Sequence, residues 1–214
     1  MSKTSDHGRL LARAAKSVRS PLGCKQVGRS RTWVADQRFW VIVIEFQPSG
    51  FSKGSYLNVG ACWLWYAKDY WSFDCGDRVE GFTPFRDPHQ FTAVAERLAT
   101  RAAEEVRGLR KKFASLSDIA REIMPTADAR MWPVYHAAVA AGLTGDVAAS
   151  ERLFRQLVEE SADTEWQKEL QARSAELGQI LPDAFRFREG VLAIVQESRR
   201  LHRLPPDPAC LDVA

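Results

Sequence analysis

The segment FWVIVIEFQ, residues Phe39–Gln47, predicts a β-strand because its side chains are mostly aromatic or β-branched. Side chains alternate between the two faces of a strand. The apolar side chains on one face are Trp40, Ile42, Ile44 and Phe46. The other face would carry Val41 and Val43. A strand that is apolar on both faces is typical of the centre of a sheet, so we place it there.

Turn signals on both sides of this stretch delimit further strands. Asp36-Gln37-Arg38 precedes it and Pro48-Ser49-Gly50 follows it. We predict the other strands at residues 31–35, 56–66 and 70–75. Helices are predicted at residues 9–20 and, after the start signal Asp87-Pro88, to about residue 113. The pattern indicates an α+β fold with an antiparallel sheet of about four to five strands, flanking helices and a helical C-terminal region.

The strands at 56–66 and 70–75 are predicted to form a hairpin around Lys68-Asp69. A register that sets Tyr66 opposite Trp71 gives apolar pairs along one face and sets Cys62 opposite Cys75. These cysteines would form a disulfide or, as we expect in a reducing compartment, two small buried side chains.

Trp63 and Trp65 lie on the opposite face of the predicted hairpin. If helices cover only one side of the sheet, these two side chains are exposed and mark a binding patch. If helices cover both sides, they belong to the core. The sequence leaves both alternatives open, and we name Trp63 and Trp65 as binding candidates.

The domain organisation follows from where the strand patterns stop. Residues 1–125 are predicted to form the α+β domain, and residues 126–204 form a helical region packed on or beside it. Residues 205–214 contain Pro205-Pro206-Asp207-Pro208 and are predicted to be a frayed tail.

The charge is unevenly distributed along a chain whose formal net charge is only +3. Residues 1–38 hold nine basic and two acidic side chains, whereas residues 114–214 hold eleven and sixteen. The basic segment is either the solvated outer face of a docked helix, which we favour, or an arm that binds nucleic acid. No run of about 18 apolar residues is present, so we expect no membrane partner. The N-terminus has no apolar core of secretory type, so we expect a reduced protein in the cytoplasm.

Most enzyme signatures are missing from the sequence, and no cofactor is predicted. The four cysteines form no CxxC pair, so we expect no structural zinc site. Cys24 stands beside Lys25, which would lower its pKa, but we do not assign it as a nucleophile. The best catalytic candidates are Asp36, Glu45 and Gln47, whose oxygen atoms would suit Mg²⁺ in a nuclease-like site. The alternative is that Glu45 ends its strand with the carboxylate in water.

Several short motifs resemble the bacterial family catalogued as domain of unknown function 4304. The segments that carry the resemblance, which covers about residues 9–125, are Leu22-Gly23-Cys24-Lys25, Gly28-Arg29, Thr32-Trp33, Phe46-Gln47-Pro48-Ser49 and Leu57-Asn58-Val59-Gly60. Cys24 stands where the family usually has an aromatic residue. The resemblance implies an antiparallel sheet with flanking helices and no established activity. It points to Gln47, Ser49 and Asn58 as polar positions, and we name Asn58 as a further binding candidate.

Taken together, these features favour a non-enzymatic protein-binding module of a bacterial cytosol, similar in role to immunity or scaffold proteins. This interpretation rests on analogy between small α+β proteins that lack a catalytic motif. The alternative is a metal-dependent nuclease that uses Asp36 and Glu45.

Overall fold

A computed structural model of the protein describes residues 6–124 and 131–212. The predicted α+β class is confirmed: an antiparallel five-stranded sheet is accompanied by helices that dominate the C-terminal part. The strands are β1 (Lys25–Gln26), β2 (Thr32–Asp36), β3 (Trp40–Glu45), β4 (Gly54–Trp63) and β5 (Cys75–Pro84). The helices are α1 (Asp6–Leu22), α2 (Pro88–Lys112), α3 (Leu116–Ile123), α4 (Met131–Leu143), α5 (Val147–Glu159), α6 (Glu165–Ile180) and α7 (Ala184–Leu201).

The chain divides into two compact units whose boundary differs from the predicted one. The first unit holds the described residues up to 62 together with 71–111, and the second holds residues 63–70 and the described residues from 112 onward. The short segment 63–70 and helix α3 therefore belong to the helical unit, whereas we had placed both in the α+β domain. In the described part of the chain, no helix is long and apolar enough to span a membrane.

The sheet of the first unit follows chain order, β1-β2-β3-β4-β5. β3 is buried from Trp40 to Ile44 and only Glu45 is partly exposed, as expected for a central strand that is apolar on both faces. In the β2–β3 ladder Trp33 opposes Ile44. The Trp33 ring meets Phe46 edge-on, with their centroids 5.2 Å apart. These contacts place the bulky part of the core at the middle of the sheet.

Helix α1 is docked by its apolar side, and the cations of its described part lie on the solvated face. Leu11, Ala14 and Ala15 are buried, and the cations that are exposed are Arg9, Arg13 and Lys16. The His7 ring contacts both Phe85 and Phe91, and its Nε2 lies 3.1 Å from a guanidinium nitrogen of Arg31.

The strand that follows β4 lies later in the chain than predicted. β5 begins at Cys75, where the predicted strand ended, and it pairs Ala61 with Cys75 and Gly60 with Gly76. Cys62 therefore does not oppose Cys75. Gly76 has a φ of +128°, and its Cα lies so close to Gly60 that a side chain on either residue would collide with the partner strand. This glycine pair lets β4 and β5 approach closely at the start of their ladder.

Residues 64–66 are held in the second unit by side chains of helices α4 and α7. The Tyr135 hydroxyl donates to the Trp65 carbonyl at 2.9 Å, and the Ser198 hydroxyl donates to the Leu64 carbonyl at 2.6 Å. The Trp65 indole nitrogen donates to Nδ1 of His136 at 3.0 Å. All of these groups are buried, so the two carbonyls and the indole nitrogen are satisfied by hydrogen bonds within the protein.

The predicted helical C-terminal region consists of helices α4 to α7, and side-chain caps mark the starts of α5 and α7. The Asp146 carboxylate accepts the Ala149 backbone amide at 3.1 Å, and the Asp183 carboxylate accepts that of Arg186 at 3.1 Å. The tail differs from the prediction: Cys210 and Leu211 are buried. Arg188 on α7 donates to the Leu211 carbonyl, which fixes residues that we expected to fray.

We predict that Tyr135→Phe lowers the free energy of unfolding by about 1–3 kcal/mol, because a buried carbonyl loses its donor while the ring packing is retained. Burial also raises the pKa of Tyr135, so its hydroxyl stays protonated and able to donate. Urea unfolding followed by tryptophan fluorescence measures the change. The control is Tyr70→Phe at an exposed position, and an equal loss in both variants would contradict the anchoring role of Tyr135.

Candidate functional site

Three of the predicted polar residues meet on one face of the sheet in the first unit. The Asn58 amide nitrogen donates to a carboxylate oxygen of Glu45 and to the Gln47 side-chain carbonyl, both at 3.0 Å. Strand alternation explains the meeting, because Glu45 and Gln47 point to the same side, and Asn58 lies on the adjacent strand. The sequence placed Glu45 and Gln47 together, and the structure adds Asn58.

Arg78 completes this group from β5, where it opposes Asn58 in the ladder. One terminal nitrogen, Nη2, donates to the Gln47 side-chain carbonyl at 3.0 Å, and Nε lies 3.4 Å from the Asn58 side-chain carbonyl. The guanidinium carbon sits 4.1 Å from the centroid of the Tyr56 ring. We call Glu45, Gln47, Tyr56, Asn58 and Arg78 the Arg78 cluster.

The two charged ends of the Arg78 cluster fix the orientation of the amide between them. A carboxylate only accepts hydrogen bonds and a guanidinium only donates them. The Asn58 amide must therefore turn its nitrogen to Glu45 and its oxygen to Arg78, and the Gln47 oxygen must face both of its donors. The cluster is consequently a directed chain of hydrogen bonds in which each side chain limits the rotation of the next.

The remaining donors of the Arg78 cluster define what it can bind. Within the described residues, neither Nη1 of Arg78 nor the side-chain amide nitrogen of Gln47 donates to another group. Arg78 is exposed, and its ring support is extended by Phe82, whose centroid lies 5.2 Å from that of Tyr56. Two adjacent donors, one of them charged, are complementary to a carboxylate.

The predicted pairing of Asp36 with Glu45 is wrong. In the β2–β3 ladder Glu45 opposes Thr32 and Asp36 opposes Val41, so the two carboxylates are four residue pairs apart. That is about 13 Å along the strands, whereas Mg²⁺ holds each oxygen ligand at about 2.1 Å. Asp36 instead accepts the Arg38 backbone amide at 2.9 Å and stabilises a turn in which Arg38 has a φ of +75°. Among the described residues, no group of three or more His, Cys, Asp or Glu side chains could hold a metal ion.

Trp63 and Trp65, which we named as binding candidates, have no exposed surface. Their rings stack on each other with centroids 5.3 Å apart, and Phe113 meets Trp63 edge-on at 5.2 Å. The alternative in which these side chains belong to the core is the correct one. They cannot form a binding patch without unfolding the second unit.

The neighbouring Lys25 led us to expect a lowered pKa for the Cys24 thiol, but the structure gives the opposite direction. The side chain is buried, and this burial raises the pKa of the Cys24 thiol although Arg110 acts in the opposite direction. A buried thiol with a raised pKa is a poor nucleophile.

Sequence reasoning missed Arg78 and Tyr56. Arg78 fell outside the strands we predicted, so nothing placed it opposite Asn58. Tyr56 lay inside a predicted strand two residues before Asn58, a spacing that puts both side chains on one face. This spacing could have placed Tyr56 beside Asn58. Its contact with Arg78 could be predicted only once the position of β5 was known.

Comparison of the chain with protein-family models, with curated proteins and with solved structures gives no match. The resemblance to the family of domain of unknown function 4304 therefore stays a prediction. The interpretation of the site rests on its geometry.

We predict that Asn58→Asp destabilises the protein more at pH 7 than at pH 4, by about 1 kcal/mol, because the new carboxylate would face Glu45 at hydrogen-bond distance. Repulsion raises the pKa of the carboxyl pair in the folded state, so protonation on acidification removes the penalty. Urea unfolding at the two pH values measures it, with Asn58→Ala as the uncharged control. A pH-independent difference between the two variants would show that Glu45 does not face this position.

We predict that Cys24 reacts with iodoacetamide at pH 8 at least about tenfold more slowly than the partly exposed Cys75, because burial limits both access and thiolate formation. Labelling rates for the two cysteine peptides are read by mass spectrometry. The Cys24 rate should continue to rise above pH 9. Equal rates at pH 8 would contradict the burial of this thiol.

Proposed function

We propose that the protein is a non-enzymatic binding module of a bacterial cytosol, and that the Arg78 cluster recognises an acidic segment of a protein partner. The observation that carries this proposal is the fixed guanidinium of Arg78. It lies over the Tyr56 ring and is hydrogen-bonded to Gln47 and Asn58, yet it is exposed.

Preorganisation explains why such an arginine suits recognition. A free arginine side chain loses rotational freedom when it binds, and that loss weakens the complex. The Arg78 side chain is already restricted by the ring and by two hydrogen bonds. Arginine and tyrosine are also the residue types that contribute most often to the energetic centre of protein interfaces.

The chemistry of the cluster favours a carboxylate over other ligands. Nη1 of Arg78 and the amide nitrogen of Gln47 can donate to the two oxygens of one carboxylate. Glu45 lies on the far side of Asn58 from Arg78, and its charge is engaged by the Asn58 amide. An acidic side chain or a chain terminus of a partner protein would supply the ligand.

The nuclease alternative gains no support from the geometry, because the site would need two carboxylates on one metal ion and the chain separates Asp36 from Glu45. Nucleic-acid binding through the basic segment, residues 1–38, is the second alternative, and the experiment below includes an outcome that favours it. Binding of that kind weakens steeply with salt.

We predict that Arg78→Ala weakens partner capture by about 30-fold, the loss expected when about 2 kcal/mol of interface energy is removed. The tagged full chain is immobilised, and proteins retained from a lysate of the native organism are quantified by mass spectrometry. Arg107→Ala, at an exposed position of α2 outside the cluster, is the matched control.

A protein that is retained by the unchanged chain and by Arg107→Ala, and lost with Arg78→Ala, supports the proposal. Tyr56→Leu should reduce its retention as well, because the guanidinium loses its ring support. A partner retained equally by all variants would overturn the assignment of the Arg78 cluster. Recovery of nucleic acid alone, lost at high salt, would favour the basic segment instead.

A further inference from the structure

A groove runs between helices α6 and α7 in the second unit. It consists of two adjoining hollows of about 300 and 370 Å³ that share Ala67, Arg173 and Glu176. Its floor is apolar and includes Leu177, Ile180 and Ile194. We call it the α6–α7 groove. It is separate from the Arg78 cluster, which lies entirely in the first unit.

The groove has the length of a short helix. Its lining on α6 extends from Glu169 to Ile180, which is about 16 Å along the helix axis, or three turns. An apolar floor of this length matches the apolar side of an amphipathic helix that presents residues at positions i, i+3 or i+4, and i+7.

The charges along the groove favour a partner that carries positive charge. Glu169, Glu176 and Glu197 line it, against a single cation, Arg173. Glu169 forms no ion pair within the described residues, and its negative charge, after burial, raises the pKa of Tyr66 at the end of the groove. The other two glutamates form exposed i,i+3 pairs with Arg173 and Arg200, which contribute little and can be exchanged.

We propose that the α6–α7 groove binds an amphipathic helix with basic flanks, supplied by a partner protein. Apolar side chains of that helix lie on the floor formed by Leu177, Ile180 and Ile194, and its lysine or arginine side chains pair with Glu169 and Glu176. Trp166 stands one turn before Glu169 on the same side of α6 and is partly exposed, so it reports on occupation of this end.

The test uses the full chain and a fluorescein-labelled peptide of about 15 residues, with leucines at helical spacing, lysines on both flanks and alanine elsewhere. One comparison peptide has the same composition in an order without an apolar side, and a second has glutamate in place of lysine. Fluorescence anisotropy measures binding. We expect saturable binding of the lysine peptide at micromolar concentrations, and binding at least about tenfold weaker for both comparison peptides.

Two pairs of variants locate the binding. Ala193→Arg fills the groove and adds a repelling charge, and Ala148→Arg makes the same change at an exposed position of α5. Glu169→Gln with Glu176→Gln removes the attracting charges, and Glu151→Gln with Glu159→Gln is the matched control on α5. Ala193→Arg should weaken binding by at least about tenfold, and Glu169→Gln with Glu176→Gln by about threefold. The control variants on α5 should leave binding unchanged.

Absence of saturable binding by the lysine peptide would overturn the proposal, and so would equal binding of the scrambled peptide or equal effects within each pair of variants. Circular dichroism verifies that Ala193→Arg is folded; if it is not, the charge variants alone decide. The result is independent of the proposed function, because neither the peptide nor the variants involve Arg78.

Discussion

The structure of the second unit depends on how it satisfies the buried backbone of Leu64 and Trp65. These two residues follow the last position of β4 and are buried, so their carbonyls need hydrogen-bond donors from within the protein. Tyr135 and Ser198 supply the donors for Trp65 and Leu64. Because an unsatisfied buried carbonyl is costly, the positions of α4 and α7 against this segment follow from those two hydrogen bonds.

The same constraint determines the role of the tryptophans. Once residues 64–66 are inside the helical unit, Trp63 and Trp65 are inside it as well, and the Trp65 indole requires an acceptor, which His136 provides. The aromatic side chains that we named as binding candidates are therefore part of the core. The surfaces that we propose for recognition are instead the polar side chains of the Arg78 cluster in the first unit and the α6–α7 groove in the second.

The elements that could be predicted are those with local signals. β3 was recognised because its apolar side chains run through both faces, and α2 because Asp87 and Pro88 mark its start. β5 was missed because it is an edge strand with glycines and charged residues, whose pattern indicates neither burial nor alternation. The ordered tail was missed because its contacts with Arg188 are distant in sequence.

The candidate site could likewise be predicted only in part. Gln47 was named with Glu45 as an oxygen ligand and Asn58 because the family resemblance points to it, and strand alternation explains why they meet. Arg78 required the true register of β5, in which Gly60 opposes Gly76 at close approach and Asn58 opposes Arg78. The site combines residues from three neighbouring strands. Arg78 could not be assigned to it because the position of β5 was not predicted.

The proposed recognition requires that the Arg78 side chain is fixed before any partner binds, and NMR relaxation of arginine Nε–H groups measures this. We predict an order parameter for Arg78 near the value of about 0.85 typical of rigid backbone, falling below about 0.6 in Tyr56→Leu. Exposed Arg107 on α2 is the internal reference for a flexible arginine. An Arg78 signal as mobile as that of Arg107 in the unchanged protein would contradict the account.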